Sequence, residues 1–250
     1  MEACALNGFF APAQRARFLE AVPHRYSVRT FSGTPDAAQR SALHYAAERV
    51  CLPGVRIAMD ECCPEKLFFK FPLTPGVTGT NRYAALIVDE DAERAYLHAG
   101  VSGEAFVLET VSLGLGTCWQ ASFKRRGLTV DVAANERVAA IMPLGVPGEE
   151  QRLMKRKALS QICVGDPTAW PLWAYHAAEC VRRAPSAMNL QPWRIAFAGR
   201  TLLLKRAGFG GPLDMGIALL HMSLGVGDKA HVLRWGEGRE IAALIAEDRL

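Results

Sequence analysis

Residues 175–197 read YHAAECVRRAPSAMNLQPWRIAF, and residues 44–59 read HYAAERVCLPGVRIAM. The two stretches match at Ala46 and Ala177, Ala47 and Ala178, Glu48 and Glu179, and Val50 and Val181. Apolar residues recur there at helical spacing, which predicts a helix in each. Each helix is followed by a loop and then by Arg-Ile-Ala with an apolar residue, Arg56–Met59 and Arg194–Phe197. These short β-type runs predict a strand in each copy.

Working outward, a second strand-like run follows in each half, KLFFKF at 66–71 and TLLLKR at 201–206. A helix then follows, from Gly100 through Leu108 in one half and from Gly216 through Leu224 in the other. The shared order helix, strand, strand, helix predicts an internal duplication. The two domains are 1–150 and 151–250, with the repeats themselves starting near residues 20 and 155. YAALIV at 83–88 and VAAIMPLG at 138–145 read as further buried strands. Helices and strands alternate without a regular βαβ series. The predicted class is therefore α+β, two diverged repeats of sheet plus helices in one intertwined unit.

Composition is that of a globular chain: 50% hydrophobic, 22% charged, net charge +4 over 250 residues. It excludes disorder, collagen and coiled coil. No run of 18 uncharged apolar residues exists, so no transmembrane helix is expected. The N-terminal residues lack a basic region and a long apolar core, which predicts a protein without a signal peptide. Seven cysteines, an odd count, then suggest reduced thiols and a cytoplasmic protein. No CxxC, HExxH, phosphate loop or GxSxG elbow occurs, and the six histidines form no ligand cluster. Lys124-Arg125-Arg126 and Lys155-Arg156-Lys157 lack interleaved aromatics, so they read as solvated faces rather than nucleic-acid contacts.

The halves differ where chemistry is expected. Between helix and strand the first copy has only Cys51–Val55, CLPGV, where the second has the longer polar loop Arg182–Trp193. The first copy instead carries Arg25–Arg29, RYSVR, and Gly114–Trp119, GLGTCW, both of which the second lacks. Polar, glycine-rich and arginine-rich pieces are divided between the copies as if they complete one site.

RYSVRTF, LGLGTCW, LGVP and APSAMNLQPWRI resemble the signatures of the FMN-dependent nitroreductase superfamily. The motif order, with the PSxxN loop after the GLG segment, is similar to a duplicated branch in which one chain imitates the usual dimer. The resemblance implies a nitroreductase-like fold arranged as an intramolecular pseudo-dimer.

Arg25, Ser27 and Arg29 alternate, so an extended segment presents all three on one side. Two guanidiniums and a hydroxyl suit a phosphate and a ribityl chain. The resemblance implies that Arg25 and Ser27, with Tyr26 between them, meet the phosphate and ribityl end. Arg29 lies nearer the pyrimidine edge, where a positive charge stabilises the anionic reduced flavin. It places Pro185, Ser186, Ala187, Asn189 and Gln191 against the flavin from the other copy. It places Gly114, Leu115, Gly116, Thr117 and Cys118 beside the ring, with Gly116 and Thr117 near N5 and Cys118 as a small wall residue. Helix capping is the other reading of Gly114 and Gly116. Relatives carry a basic phosphate ligand just after the LGVP strand, and Arg156 is the choice here, Lys157 the second, with Arg152 and Lys155 left open. Trp193 is expected to pack, and Asp214 to cap the helix that follows it.

The expected activity is FMN-dependent oxidoreduction. NADPH or NADH reduces the flavin by hydride transfer to N5, and a nitroaromatic or quinone-like acceptor is then reduced in the same space. The rival expectation is a flavin-binding carrier or sensor with little turnover. The expected partner is a small-molecule electron acceptor, with no nucleic acid and no membrane, and a monomer suffices because the pseudo-dimer is internal.

Overall fold

The computed structural model describes residues 10–69, 76–152, 154–227 and 231–246. Helix α1 (Pro12–Ala21) groups with residues 155–250, and residues 24–154 form a second compact unit. A cut at 150/151 therefore misses one feature, because the chain before residue 24 belongs with the C-terminal unit.

The unit of residues 24–154 runs β1 (Phe31–Gly33), α2 (Ala37–Arg49), β2 (Val55–Glu61), α3 (Pro64–Leu67), β3 (Arg82–Asp89), α4 (Ala95–Ser112), β4 (Gly116–Thr117) and β5 (Glu136–Pro147). The sheet order is β1-β5-β3-β2, all antiparallel, with β4 also paired to β5. Tyr83 through Val88 are fully buried, which explains why the central strand reads as a continuous apolar run rather than an alternation. Helix α4 is apolar on all sides and buried along most of its length, as a helix inside a core must be. A Cβ on Gly103 would lie 2.4 Å from the Trp119 ring, so glycine is what lets that indole lie on the helix.

One expected strand is corrected. KLFFKF does not form the second strand: Lys66 and Leu67 belong to the helical turn α3, and Phe68 makes only an isolated bridge with Phe123. Pro64 in the first turn fixes a helical φ. Leu67 and Phe68 then bury themselves in the core beside Tyr83, Ile87 and Ile141 without a ladder. Lys70 and Phe71 lie outside the described residues. The second strand is β3.

The other unit adds α5 (Leu159–Ile162), β6 (Cys163–Val164), α6 (Leu172–Arg183), β7 (Trp193–Ala198), β8 (Thr201–Arg206), α7 (Pro212–Gly225), β9 (His231–Trp235) and β10 (Glu240–Ala246). Its sheet order is β6-β7-β8-β10-β9, antiparallel except for β6 against β7. Gly199 and Arg200 close the β7–β8 hairpin, with Gly199 at φ +58°. The α7 helix is buried and packs on α6, where a Cβ on Gly225 would meet the Ala177 Cα at 2.6 Å.

Both units thus carry helix, strand, strand, helix, strand in the same order. In each, the middle strand (β3 or β8) lies antiparallel between the first strand (β2 or β7) and the last (β5 or β10). The class is α+β. No described helix is long and apolar enough to cross a membrane. The six described cysteines are free, and Cys4 lies outside the described residues.

Candidate functional site

In the unit of residues 24–154 the RYSVR and GLGTCW segments run side by side. Ser27 bridges Thr117 in parallel, and the Val28 N–H donates to the Thr117 carbonyl at 3.0 Å. Strand β4 is held in turn by β5, Gly116 opposite Gly145 and Thr117 opposite Leu144. The sheet therefore positions Ser27 beside Thr117.

The glycines of this segment have local causes. Gly114 follows the cap of α4 at φ +74°, with its N–H on the Val111 carbonyl and the Leu115 N–H on that of Thr110. That is the Schellman pattern. At Gly116 a Cβ would meet the Val28 side chain at 2.6 Å. Glycine there serves the crossing of the two segments.

Arg25 is 8% exposed, and its Nε lies 3.7 Å from Oε1 of Glu104, which is fully buried in α4. Glu104 also accepts from the Trp119 Nε1 at 2.8 Å. The Arg25 Nε and the Thr117 Oγ1 are both buried without a hydrogen-bond partner among the described residues. Buried polar atoms are paired in the great majority of cases, so these two exceptions make the adjoining segments a candidate ligand position. Arg29 is half-buried, and its Nη1 reaches the Ser27 carbonyl only at 3.5 Å. Its N–H and that of Thr30 donate to the Glu149 carboxylate at 2.7 and 3.1 Å. Burial pushes the Glu149 carboxyl up, but these two N–H groups together with the charges of Arg152 and Arg29 outweigh it and hold the group below the usual range. Tyr26 donates its hydroxyl to the Glu149 carbonyl at 2.8 Å, a brace across the same junction. Burial pushes the Cys118 thiol up, against the opposing pull of Arg29 and a hydrogen bond from Ser27. A protonated thiol suits a wall residue and does not suit a nucleophile.

The corresponding CLPGV turn offers a ligand little. Leu52 is buried and its N–H donates to the Ser102 hydroxyl at 2.9 Å. Burial pushes the Cys51 thiol up to about 11.

In the other unit the APSAMNLQPW loop follows α6. Pro185 is buried, and the Ser186 Oγ accepts from the Gln191 N–H at 2.8 Å. Met188, Asn189 and Gln191 all sit in the left-handed region, at φ +50°, +56° and +49°. Such residues cost on the order of 1–3 kcal/mol each and persist only when their surroundings fix them. Here they are fixed from two sides. The Ala187 N–H donates to Asp214 Oδ1 at 2.8 Å. The segment 155–157 supplies the rest: Arg156 Nη1 to Asn189 Oδ1 at 2.7 Å, Lys157 N–H to Gln191 Oε1 at 2.8 Å, and Lys157 Nζ to the Leu190 carbonyl at 2.7 Å. Asn189 Nδ2 donates to the Lys155 carbonyl at 2.8 Å.

The structure thus gathers the expected residues into two groups, Arg25, Ser27, Arg29, Thr117 and Cys118 in one unit and Arg156, Lys157, Ser186, Asn189 and Gln191 in the other. Within the second group the amides of Asn189 and Gln191 brace the loop, while Met188 stands 86% exposed. Trp193 is fully buried, as expected. Asp214 is not the helix cap. Pro212 occupies the first helical position, so Gly211 is the cap and Asp214 reaches back to its N–H at 3.2 Å. Glu104, Glu149 and the loop-bracing role of Asp214 were not predicted. A lone carboxylate in the apolar run of α4 was the available signal for Glu104.

A family profile described as "Putative TM nitroreductase" matches residues 17–226. Among solved structures, a putative nitroreductase from Thermotoga maritima is 24% identical, covers 92% of this chain and 93% of its own, and superposes with a TM-score of 0.65. It shows the fold. A nitroreductase with bound FMN from Desulfitobacterium hafniense is 14% identical over 56% of this chain and 94% of its own, TM-score 0.45. An FMN-dependent nitroreductase from Clostridium difficile is 17% identical over 55% and 91%, TM-score 0.42. No curated protein matches the chain.

Proposed function

The chain belongs to the family described as "Putative TM nitroreductase", and from that premise we propose that it is an FMN-dependent oxidoreductase. Bound FMN would supply hydride acceptance and donation, with NADPH or NADH as reductant and a nitroaromatic or quinone-like molecule as acceptor. The observation that carries the reading is that two buried polar atoms, Arg25 Nε and Thr117 Oγ1, lack a hydrogen-bond partner among the described residues, on the paired segments that also carry Ser27 and the half-buried Arg29. These residues fit an anion with a polyhydroxyl chain, since two guanidiniums and two hydroxyls offer donors to both.

Arg25 and Ser27 would hold the phosphate and ribityl end, and Arg29 would bring positive charge to the ring. Cys118, kept protonated by burial, would add a neutral wall. Gly116 and Thr117 would present backbone next to the ring. In the other unit, Arg156 and Lys157 hold the APSAMNLQPW loop in its left-handed shape. Neither motif set is repeated in the sequence. One FMN per chain follows, in a duplicated chain for which a monomer suffices, and a cytoplasmic location fits the reduced cysteines.

One observation favours the alternative of a flavin carrier or sensor with little turnover: the Asn189 and Gln191 amides are engaged by the segment 155–157. The absorbance of the purified protein separates the two. A yellow protein bleached by NADPH or NADH supports the enzyme, a yellow protein inert to both supports the carrier, and a colourless protein that takes up no added FMN contradicts both.

A further inference from the structure

A cleft of about 930 Å³ lies among α1, α6 and the C-terminal end of α7, far larger than a packing gap and within the size range of small-molecule sites. Specific bonds hold it open. Arg15 on α1 donates through Nη2 to the Ser223 and Gly227 carbonyls at 3.2 and 2.8 Å, which ties α1 to the last turn of α7. Gly225 lets α6 approach α7 on the other side. The walls are apolar: Leu19, Leu172, Trp173 and Val226. Leu172 is 69% exposed, so the apolar stripe of α6 is left without packing at this point.

The charge at the rim has one sign. Glu179 lines the cleft, but its carboxylate is taken by Arg182 at 2.7 Å. Arg183, one turn further along the same stripe, makes no ion pair or hydrogen bond among the described residues, and His176, one turn after Leu172, adds ring nitrogens to the lining. An apolar trough with a free guanidinium at its mouth selects for a molecule that is apolar along its body and anionic at one end.

We propose that this cleft binds a small amphipathic carboxylate, its apolar body along Leu172 and Trp173 and its head on Arg183. The site is independent of the flavin reading, because its lining residues include none of the residues assigned to FMN.

Calorimetric titration of the full chain with decanoate, decylamine and decanol tests it. Decanoate is expected to bind once per chain and decylamine about tenfold or more weaker. Arg183→Ala should weaken decanoate about tenfold and leave decanol unchanged, and Leu172→Asp should abolish all binding, with melting temperature and FMN content unchanged in both variants. Equal binding of decanoate and decylamine, no effect of Arg183→Ala, or no heat at roughly 1 mM ligand would overturn the proposal. So would a dimer by sedimentation that Leu172→Asp converts to monomer, since the cleft would then be covered by a second copy. Should Leu172→Asp fail to fold, the decanoate–decylamine contrast in wild type and in Arg183→Ala still decides.

Discussion

The Arg25 Nε lies 3.7 Å from Oε1 of Glu104, with both side chains buried and the Nε lacking a hydrogen bond. The two are held together by charge without a direct hydrogen bond at that atom. Glu104 thus keeps inside the core the cationic side chain of Arg25, which is proposed, with Ser27, for the phosphate. Removing one member of a buried pair leaves the other uncompensated, at roughly 3–5 kcal/mol. Glu104→Ala should lose about that much in urea unfolding. A double variant, Arg25→Met with Glu104→Leu, should recover most of it, because a well-packed apolar pair often replaces a buried ion pair without loss. Equal stability of Glu104→Ala and wild type would show that the pair is not coupled.

With one carboxylate Asp214 fixes the strained loop through the Ala187 N–H and reaches back from the first turn of α7 to the N–H of the cap residue Gly211. Asp214→Ala should cost about 1.5–3 kcal/mol, the range for hydrogen bonds to a charged group. Asp214→Asn keeps an acceptor and should fall between. Equal urea midpoints for Asp214→Ala and wild type would show that the loop does not depend on this carboxylate.

Glu136 accepts from Arg56 Nε and Nη2 at 2.7 and 2.6 Å and from the Ala133 N–H at 2.9 Å. Together these draw its carboxyl from 4.5 down to about 2. A depressed folded value contributes stability that is present above the unfolded value and is lost as pH falls through the folded one. Glu136→Gln should therefore be less stable than wild type at pH 7, and the gap should close between pH 4.5 and 2. A gap that is constant across that window in urea midpoints would mean the effect is steric.

The strands and helices that flank the two short matched stretches were legible because their apolar spacing is set by burial, which acts on local sequence. KLFFKF was misread because a β-type composition also satisfies a helical turn when proline precedes it and two aromatic or aliphatic side chains can reach the core directly. The polar residues of APSAMNLQPW were legible as a group, and their partners were not. Whether Asn189 faces a ligand or Arg156 depends on three left-handed residues, and no spacing rule reports those. The glycines of GLGTCW were ambiguous for the opposite reason: a helix cap, a strand crossing and a close ligand all ask for the same residue.

The central claim is that one chain holds one FMN through the RYSVR segment. Titration of flavin-stripped protein with FMN, followed by fluorescence quenching, tests it most directly. The account predicts a plateau at one equivalent per chain, and in Arg25→Ala an affinity about ten- to a hundredfold weaker, the loss of a charge-assisted phosphate contact. A plateau at two equivalents, or an unchanged affinity in folded Arg25→Ala, would contradict it.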